Sequence, residues 1–163
     1  MSTTLHTGES NAVLPAVDDM RIAIVTADWN KHITYALRDG ALSVLHKAGM
    51  SEDDIDCFNV PGAVELTFAA SQLIETSQYD AVIVFGCVIR GGTPHFDYVC
   101  QSVTQGVTML NADCDVPVIF GVLTVDNEQD AIDRAGGKLG NKGCEAAEAA
   151  VIMADFARKT KDL

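Results

Sequence analysis

The densest chemistry in the chain lies at Gly91, Gly92, Thr93, Pro94 and His95, which follow the apolar run Ala81 to Ile89 with only Arg90 between. Two glycines end a strand and leave main-chain amides uncovered. Thr93 suits a helix N-cap and Pro94 the first helical position, so the amides around Gly92 and Thr93 should point outward beside a positive helix end. That arrangement attracts an anion such as a small phosphate. His95, in the first turn, is placed to move protons at whatever the amides hold. The same residues also suit an ordinary strand-to-helix turn with a solvated histidine, so they need company.

Three further side chains could supply it. Trp29, the only tryptophan, follows the apolar run Arg21 to Ala27 and offers a flat face to a planar heterocycle, or else plugs the edge of a core. Glu65 stands at a helix start, where the macrodipole favours it without any function and where it could also accept hydrogen bonds from a polyol. Cys87 lies next to the glycine turn as a conceivable nucleophile, although a buried cysteine behaving as a small apolar residue is the default.

The elements that must position these residues alternate. Strands are predicted at Arg21 to Ala27, Asp56 to Val60, Ala81 to Ile89 and Pro117 to Leu123, the third so uniformly apolar that it must be covered on both faces. Between them, apolar residues recur at helical spacing from Ile33 to Ala48, with Gly49 as C-cap, through Leu66 to Ile74, and through Val99, Val103, Val107 and Leu110. A helix from Asn127 to Arg134, the glycine-rich AGGKLGNKG and an alanine-rich helix from Cys144 to about Lys159 complete the chain. Right-handed crossovers turn this pattern into a three-layer α/β/α fold, a flavodoxin-like four-stranded parallel sheet of order 2-1-3-4. Trp29, Glu65, the Gly91-Gly92-Thr93 turn and Thr124 then gather on one rim, at the carboxyl ends of the strands where such sheets hold ligands.

Composition narrows the partners. With 163 residues and 48% hydrophobic content, one globular domain is expected at 20–163, preceded by a flexible arm at 1–19. The arm is polar apart from Ala12 to Leu14, and could add a strand to a neighbouring subunit's sheet. A net charge of −12 with eleven scattered basic residues excludes a nucleic-acid surface, so an anionic ligand must be held by local geometry. Five cysteines without a Cys-x-x-Cys pair indicate neither a disulfide framework nor a metal site. No run is long and apolar enough to span a membrane, and Met1 to Met20 is not a secretory signal, so a cytoplasmic protein is expected.

Four motifs in series, VPGAVEL, VIRGGTPHFDYV, PVIFGVLT and DRAGGKLGNKG, give the stretch from about Arg21 to Lys159 a specific resemblance to the 6,7-dimethyl-8-ribityllumazine synthases of riboflavin biosynthesis. The resemblance implies condensation of 5-amino-6-(D-ribitylamino)uracil with 3,4-dihydroxy-2-butanone 4-phosphate, releasing phosphate and water, with no metal and no cofactor. It further implies that Trp29 stacks on the pyrimidine, that Ala63, Val64 and Glu65 meet the ribityl chain, and that Cys87, Val88 and Ile89 line the pyrimidine through their main chain. Gly92 and Thr93 would hold the phosphate and His95 would carry protons. Phe120, Arg134 and Lys142 would come from the adjacent subunit, Arg134 pairing with the phosphate. The assembly implied is a homo-oligomer, a pentamer or a closed shell of sixty subunits, sometimes enclosing riboflavin synthase. The short GGKLGNKG connection is similar to that of shell-forming members.

The chain departs from the commonest pattern of that family at four positions. Trp29 stands for phenylalanine, Val64 for an aromatic residue, Cys87 for threonine and Thr67 for proline, all of which bear on affinity for the pyrimidine. Two other readings stay open at this level: a catalytically silent shell-forming relative, and a flavin-binding module in which Trp29 stacks on the isoalloxazine. A response-regulator reading of the same fold fails, because Asp28 has no acidic partner at the end of the first strand.

Overall fold

The computed structural model describes residues 13–161 and 163. Four parallel strands, β1 (Ile22–Ala27), β2 (Ile55–Val60), β3 (Ala81–Ile89) and β4 (Val118–Val125), form one sheet in the order β2-β1-β3-β4, the order expected from the sequence. Helices α1 (Lys31–Lys47), α4 (Glu128–Arg134) and α5 (Lys142–Lys161) cover one face, and α2 (Leu66–Glu75) and α3 (His95–Asp113) cover the other.

Why the sheet has two cores follows from the alternation of side chains along each strand. Ile22 and Ile24 of β1 with Ile83 and Phe85 of β3 face Leu37, Leu45 and Val151, while Ala23, Val25, Val82 and Val84 face Leu66, Ala70, Val103 and Val107. Because β1 and β3 are central, all six residues of β1 and the first seven of β3 are buried, which explains their unbroken apolar character. The ring of Phe85 needs Gly121 on the neighbouring strand, since a methyl group there would lie 2.5 Å from its Cδ1. At Gly49 the backbone turns left-handed, φ 105°, and closes α1 as its glycine implied.

The structure adds pieces that periodicity did not show. Ser51 and Asp54 cap each other around a short 3₁₀ turn, Glu52–Asp54, before β2. The glycine-rich stretch contains a hairpin, β5 (Ala135–Gly137) and β6 (Gly140–Asn141), held where Lys138 reaches the Asp133 carboxylate at 2.8 Å. α5 begins at Lys142, two residues before the predicted Cys144, and β4 continues to Val125 rather than ending at Leu123.

The end of the sheet away from the candidate rim is tied by charge. Arg158 of α5 grips Asp80 through Nε and Nη2 at 2.9 and 3.0 Å, and also donates to the carbonyls of Asp18 and Asp19. Asp80 accepts from the Arg21 amide, the Arg21 guanidinium pairs with Asp56 at 2.8 Å, and the Tyr79 hydroxyl donates to that same carboxylate. Leu14 and Val17 pack against the core of their own chain, whereas Val13 is exposed. Residues 1–12, including Ala12 of the apolar patch and most of the expected arm, lie outside the described residues.

Candidate functional site

The rim is built first by main-chain contacts between the two loops that follow β1 and β2. The Asp28 amide donates to the Val60 carbonyl at 2.8 Å and the Trp29 amide to the Pro61 carbonyl at 3.0 Å. The Asp28 carboxylate accepts from the Tyr35 hydroxyl and Asn59 Nδ2, at 2.8 and 2.7 Å, and these bonds hold it below the usual carboxylate range. Trp29 itself is 70% exposed, which removes the core-plug alternative. A methyl group at Gly62 would lie 3.0 Å from Trp29 Cε3 and 3.2 Å from Glu65 Oε2, so ring and carboxylate converge over that glycine. Ala63 is buried beneath them, and Val64 and Glu65 are open to solvent.

β3 carries the centre of the rim. Its register with β1 ends at Thr26 opposite Phe85, whereas its register with β4 runs on to Ile89 opposite Val125. Gly86 to Ile89 therefore extend beyond β1 with one main-chain edge free of a partner strand. The Arg90 amide donates to the Val125 carbonyl, and Asn30 Nδ2 reaches the Cys87 carbonyl from the other side at 3.0 Å. Main-chain groups alternate sides along a strand, so Cys87 and Ile89 present theirs toward the loop that carries Trp29 and Asn30, and Val88 turns its own toward β4. The Cys87 thiol points into the α1/α5 core, and burial, with some help from the charge of Glu128, pushes it up to about 11. It is a protonated core side chain, and the nucleophile reading lapses.

After β3 comes the glycine turn. A methyl group at Gly91 or Gly92 would meet nothing within 4 Å, and neither glycine has a left-handed φ. Neither the fold's conformation nor its packing requires glycine here. Thr93 does not cap the helix, as its residue type suggested: α3 begins at His95, Pro94 occupies the capping position with φ −62°, and no side chain bonds there. The next amide with a local acceptor is that of Asp97, which donates to the Pro94 carbonyl. His95 is exposed at the start of this 19-residue helix.

Arg90 braces the turn. Its guanidinium lies 4.1 Å from the centre of the Phe96 ring, donates to Asp126 at 2.7 Å and to Asp97 at 3.3 Å, and so links the loop after β3 to the loop after β4. Arg90, Thr124, Asp126, Asp130 and Arg134 line a cleft of about 370 Å³. Arg134 folds back on its own helix, Nη1 donating to the Asp130 carbonyl at 2.8 Å.

Thus Trp29, Ala63, Val64, Glu65, Cys87, Val88, Ile89, Gly92, Thr93 and His95 all fall on one rim of one chain. Phe120 and Lys142 do not. Phe120 sits opposite Val84 on the edge strand, five residues or roughly 16 Å from the end of β3, and is 37% exposed. Lys142 opens α5 beside the middle of α1, next to the Asn141 that bonds the Ala36 carbonyl, and pairs with Glu145 at 2.8 Å. Sequence reading missed Asn30, Arg90 and Asp126, whose contacts bridge loops distant in the chain; only the left-handed preference of asparagine marked Asn30 out. Among the described residues, no group of three histidine, cysteine or acidic side chains could hold a metal ion, and no helix is long and apolar enough to cross a membrane.

Comparison with known proteins gives the chain its relatives. The family model for 6,7-dimethyl-8-ribityllumazine synthase matches residues 19–158. Proteins named 6,7-dimethyl-8-ribityllumazine synthase from Parabacteroides distasonis and Bacteroides fragilis are 54% and 56% identical to this chain, over 88% and 84% of its length and 89% and 96% of theirs. One of the same name from Porphyromonas gingivalis is 54% identical over 89% of this chain and 90% of its own.

Proposed function

The chain belongs to the 6,7-dimethyl-8-ribityllumazine synthase family, and we propose that its rim condenses 5-amino-6-(D-ribitylamino)uracil with 3,4-dihydroxy-2-butanone 4-phosphate, in the penultimate step of riboflavin biosynthesis. The observation that carries this reading is the open turn. Two adjacent glycines that the fold does not need leave amides uncovered at the start of a long helix, with His95 beside them.

The steps follow from the parts. Trp29 stacks on the pyrimidine, the end of β3 from Cys87 through Val88 to Ile89 lines it, with Ile89 offering the open main-chain edge, and Ala63, Val64 and Glu65 hold the ribityl chain. Gly92 and Thr93 bind the phosphate of the second substrate. The 5-amino group attacks the ketone and water leaves as the imine forms. Phosphate is then eliminated, and the ribitylamino nitrogen closes the ring with loss of a second water. His95 takes and returns protons at the amine and the departing oxygens. Holding two small reactants in register supplies up to about 7–11 kcal/mol, more than the ~10²–10⁴-fold typical of acid–base help, so positioning leads. No metal or redox cofactor enters.

Family members form oligomers, and the placement of Phe120 and Lys142 away from their own chain's rim supports pockets completed by an adjacent subunit, to which we assign Arg134 as well. We assign the assembly as a pentamer, further closed into a shell of sixty subunits and able to enclose riboflavin synthase, in the cytoplasm. Residues 20–163 act as one domain and the segment before them as an arm toward the neighbouring subunit. Electron microscopy of the purified protein tests the shell. Mixing both substrates and following lumazine fluorescence tests the reaction; binding without turnover would favour the silent-shell or flavin-binding reading.

A further inference from the structure

We propose that Asn30 is a positioning residue for the aminouracil: its side-chain amide fixes the gap between the Trp29 ring and the main-chain edge of β3 into which the heterocycle fits. The proposal rests on the pyrimidine reading of that gap. Asn30 stands between the stacking side chain and α1, and three sets of contacts converge on it. Its backbone is left-handed, φ 57° and ψ 40°, which turns the chain sharply after Trp29. Its carbonyl accepts from the amides of Ile33 and Thr34, at 2.8 and 3.1 Å, anchoring it to the first turn of α1. Its Nδ2 donates to the Cys87 carbonyl at 3.0 Å, across the place where β1 has already ended and β3 continues.

That last bond is the only side-chain hydrogen bond among the described residues that joins the Trp29 loop to the protruding end of β3. Strand pairing stops at Thr26 opposite Phe85, so beyond that point the spacing between the two elements is no longer set by a ladder. An amide bridge sets it instead. Because Asn30 is the immediate neighbour of Trp29, loosening the bridge frees the ring to shift relative to the edge of β3, and a planar ligand held between them loses one wall. The phosphate turn, on the far side of Arg90, is untouched by this contact.

Two variants separate the bridge from the backbone turn. Asn30→Gly keeps the left-handed conformation without strain and removes the donor. Asn30→Asp keeps the shape and the tolerance of left-handed backbone but sets a carboxylate oxygen against the Cys87 carbonyl oxygen. The probe is 6,7-dimethyl-8-ribityllumazine titrated into the assembled protein, read as quenching of the single tryptophan, with KM for each substrate measured in parallel. A lost neutral hydrogen bond predicts about 3- to 10-fold weaker lumazine binding and a matching rise in the aminouracil KM for Asn30→Gly, and a larger loss for Asn30→Asp. The butanone phosphate KM of Asn30→Gly should stay at its wild-type value, and its melting temperature should fall by only about 2–6 °C, the cost of one lost hydrogen bond. Wild-type quenching with unchanged affinity in both variants would overturn the role of Asn30, as would equal increases in the two KM values. Absence of quenching in the wild type would instead overturn the pyrimidine site, and the proposal with it.

Discussion

The two ends of the sheet use polar residues in opposite ways. At the end where the strands begin, Arg158, Asp80, Arg21, Asp56 and Tyr79 are joined in one run of bonds of 2.8–3.0 Å, and even the carbonyls of Asp18 and Asp19 are drawn in. At the end where they finish, Trp29 and His95 stand open, Gly91 and Gly92 face empty space, and β3 shows an edge that no strand pairs. Apart from the Arg21 Nε, the polar groups named in the first region are occupied in holding this chain together. Those in the second are left exposed by it. Arg90 and Asn30 mark the boundary, each using intrachain contacts to hold an open loop in place.

Breaking the two regions should give opposite signatures. The largest kinetic effects belong to the rim: Arg134→Ala should raise the KM for the butanone phosphate by about 10- to 100-fold, the range of a lost charge-assisted hydrogen bond, with kcat less affected. His95→Ala should lower kcat by no more than about 10²-fold, the lower end of acid–base contributions, and steady-state kinetics with both substrates varied will separate the pair. Complete loss of turnover in His95→Ala with binding intact would reverse the ranking of positioning over proton transfer.

Gly92→Ala sharpens the contrast further. Nothing in the chain obstructs the added methyl group, and φ there is ordinary, so thermal melting should be unchanged or slightly raised. The methyl crowds the amides, and the KM for the phosphate-bearing substrate should rise about 10-fold, the cost of roughly one phosphate contact. At the other end, Asp80→Ala should do the reverse: stability falls by about 2 kcal/mol in urea titrations while kcat per folded molecule stays constant.

The smallest effect lies inside the core. Burial raises the Cys87 thiol above its ordinary 9.0 to about 11, so the folded protein holds that proton more tightly than the unfolded chain does. Its contribution to stability is whole below about pH 9 and fades as pH climbs toward 11. Melting curves across that interval should decline less steeply in Cys87→Ala than in the wild type, and iodoacetamide should leave Cys87 unmodified at neutral pH.

The sheet order was legible because β1 and β3 are buried on both faces and the helices between them keep a single apolar stripe. So was the convergence of Trp29, Glu65 and the glycine turn, since parallel strands bring their carboxyl ends to one rim. What escaped was local or cross-loop. Thr93 has the residue type of a cap, yet Pro94 takes that place, because proline's fixed φ carries the chain into the helix without a side-chain acceptor. The hairpin after α4 hides among glycines, which carry no period, and its organiser is the buried Asp133. Arg90 reads as one more surface cation until Asp126, 36 residues on, is seen to face it. The exposure of Trp29, which decides between stacking and core filling, is a tertiary fact that no spacing encodes.

The central claim is that an open turn of main-chain amides, with an aromatic wall alongside, brings an aminouracil and a four-carbon phosphate into reaction. Purified protein mixed with both compounds should release orthophosphate and generate lumazine fluorescence in equal molar amounts, well above the enzyme-free rate. Equal rates with and without protein, in a preparation whose Trp29 emission still responds to lumazine, would contradict it.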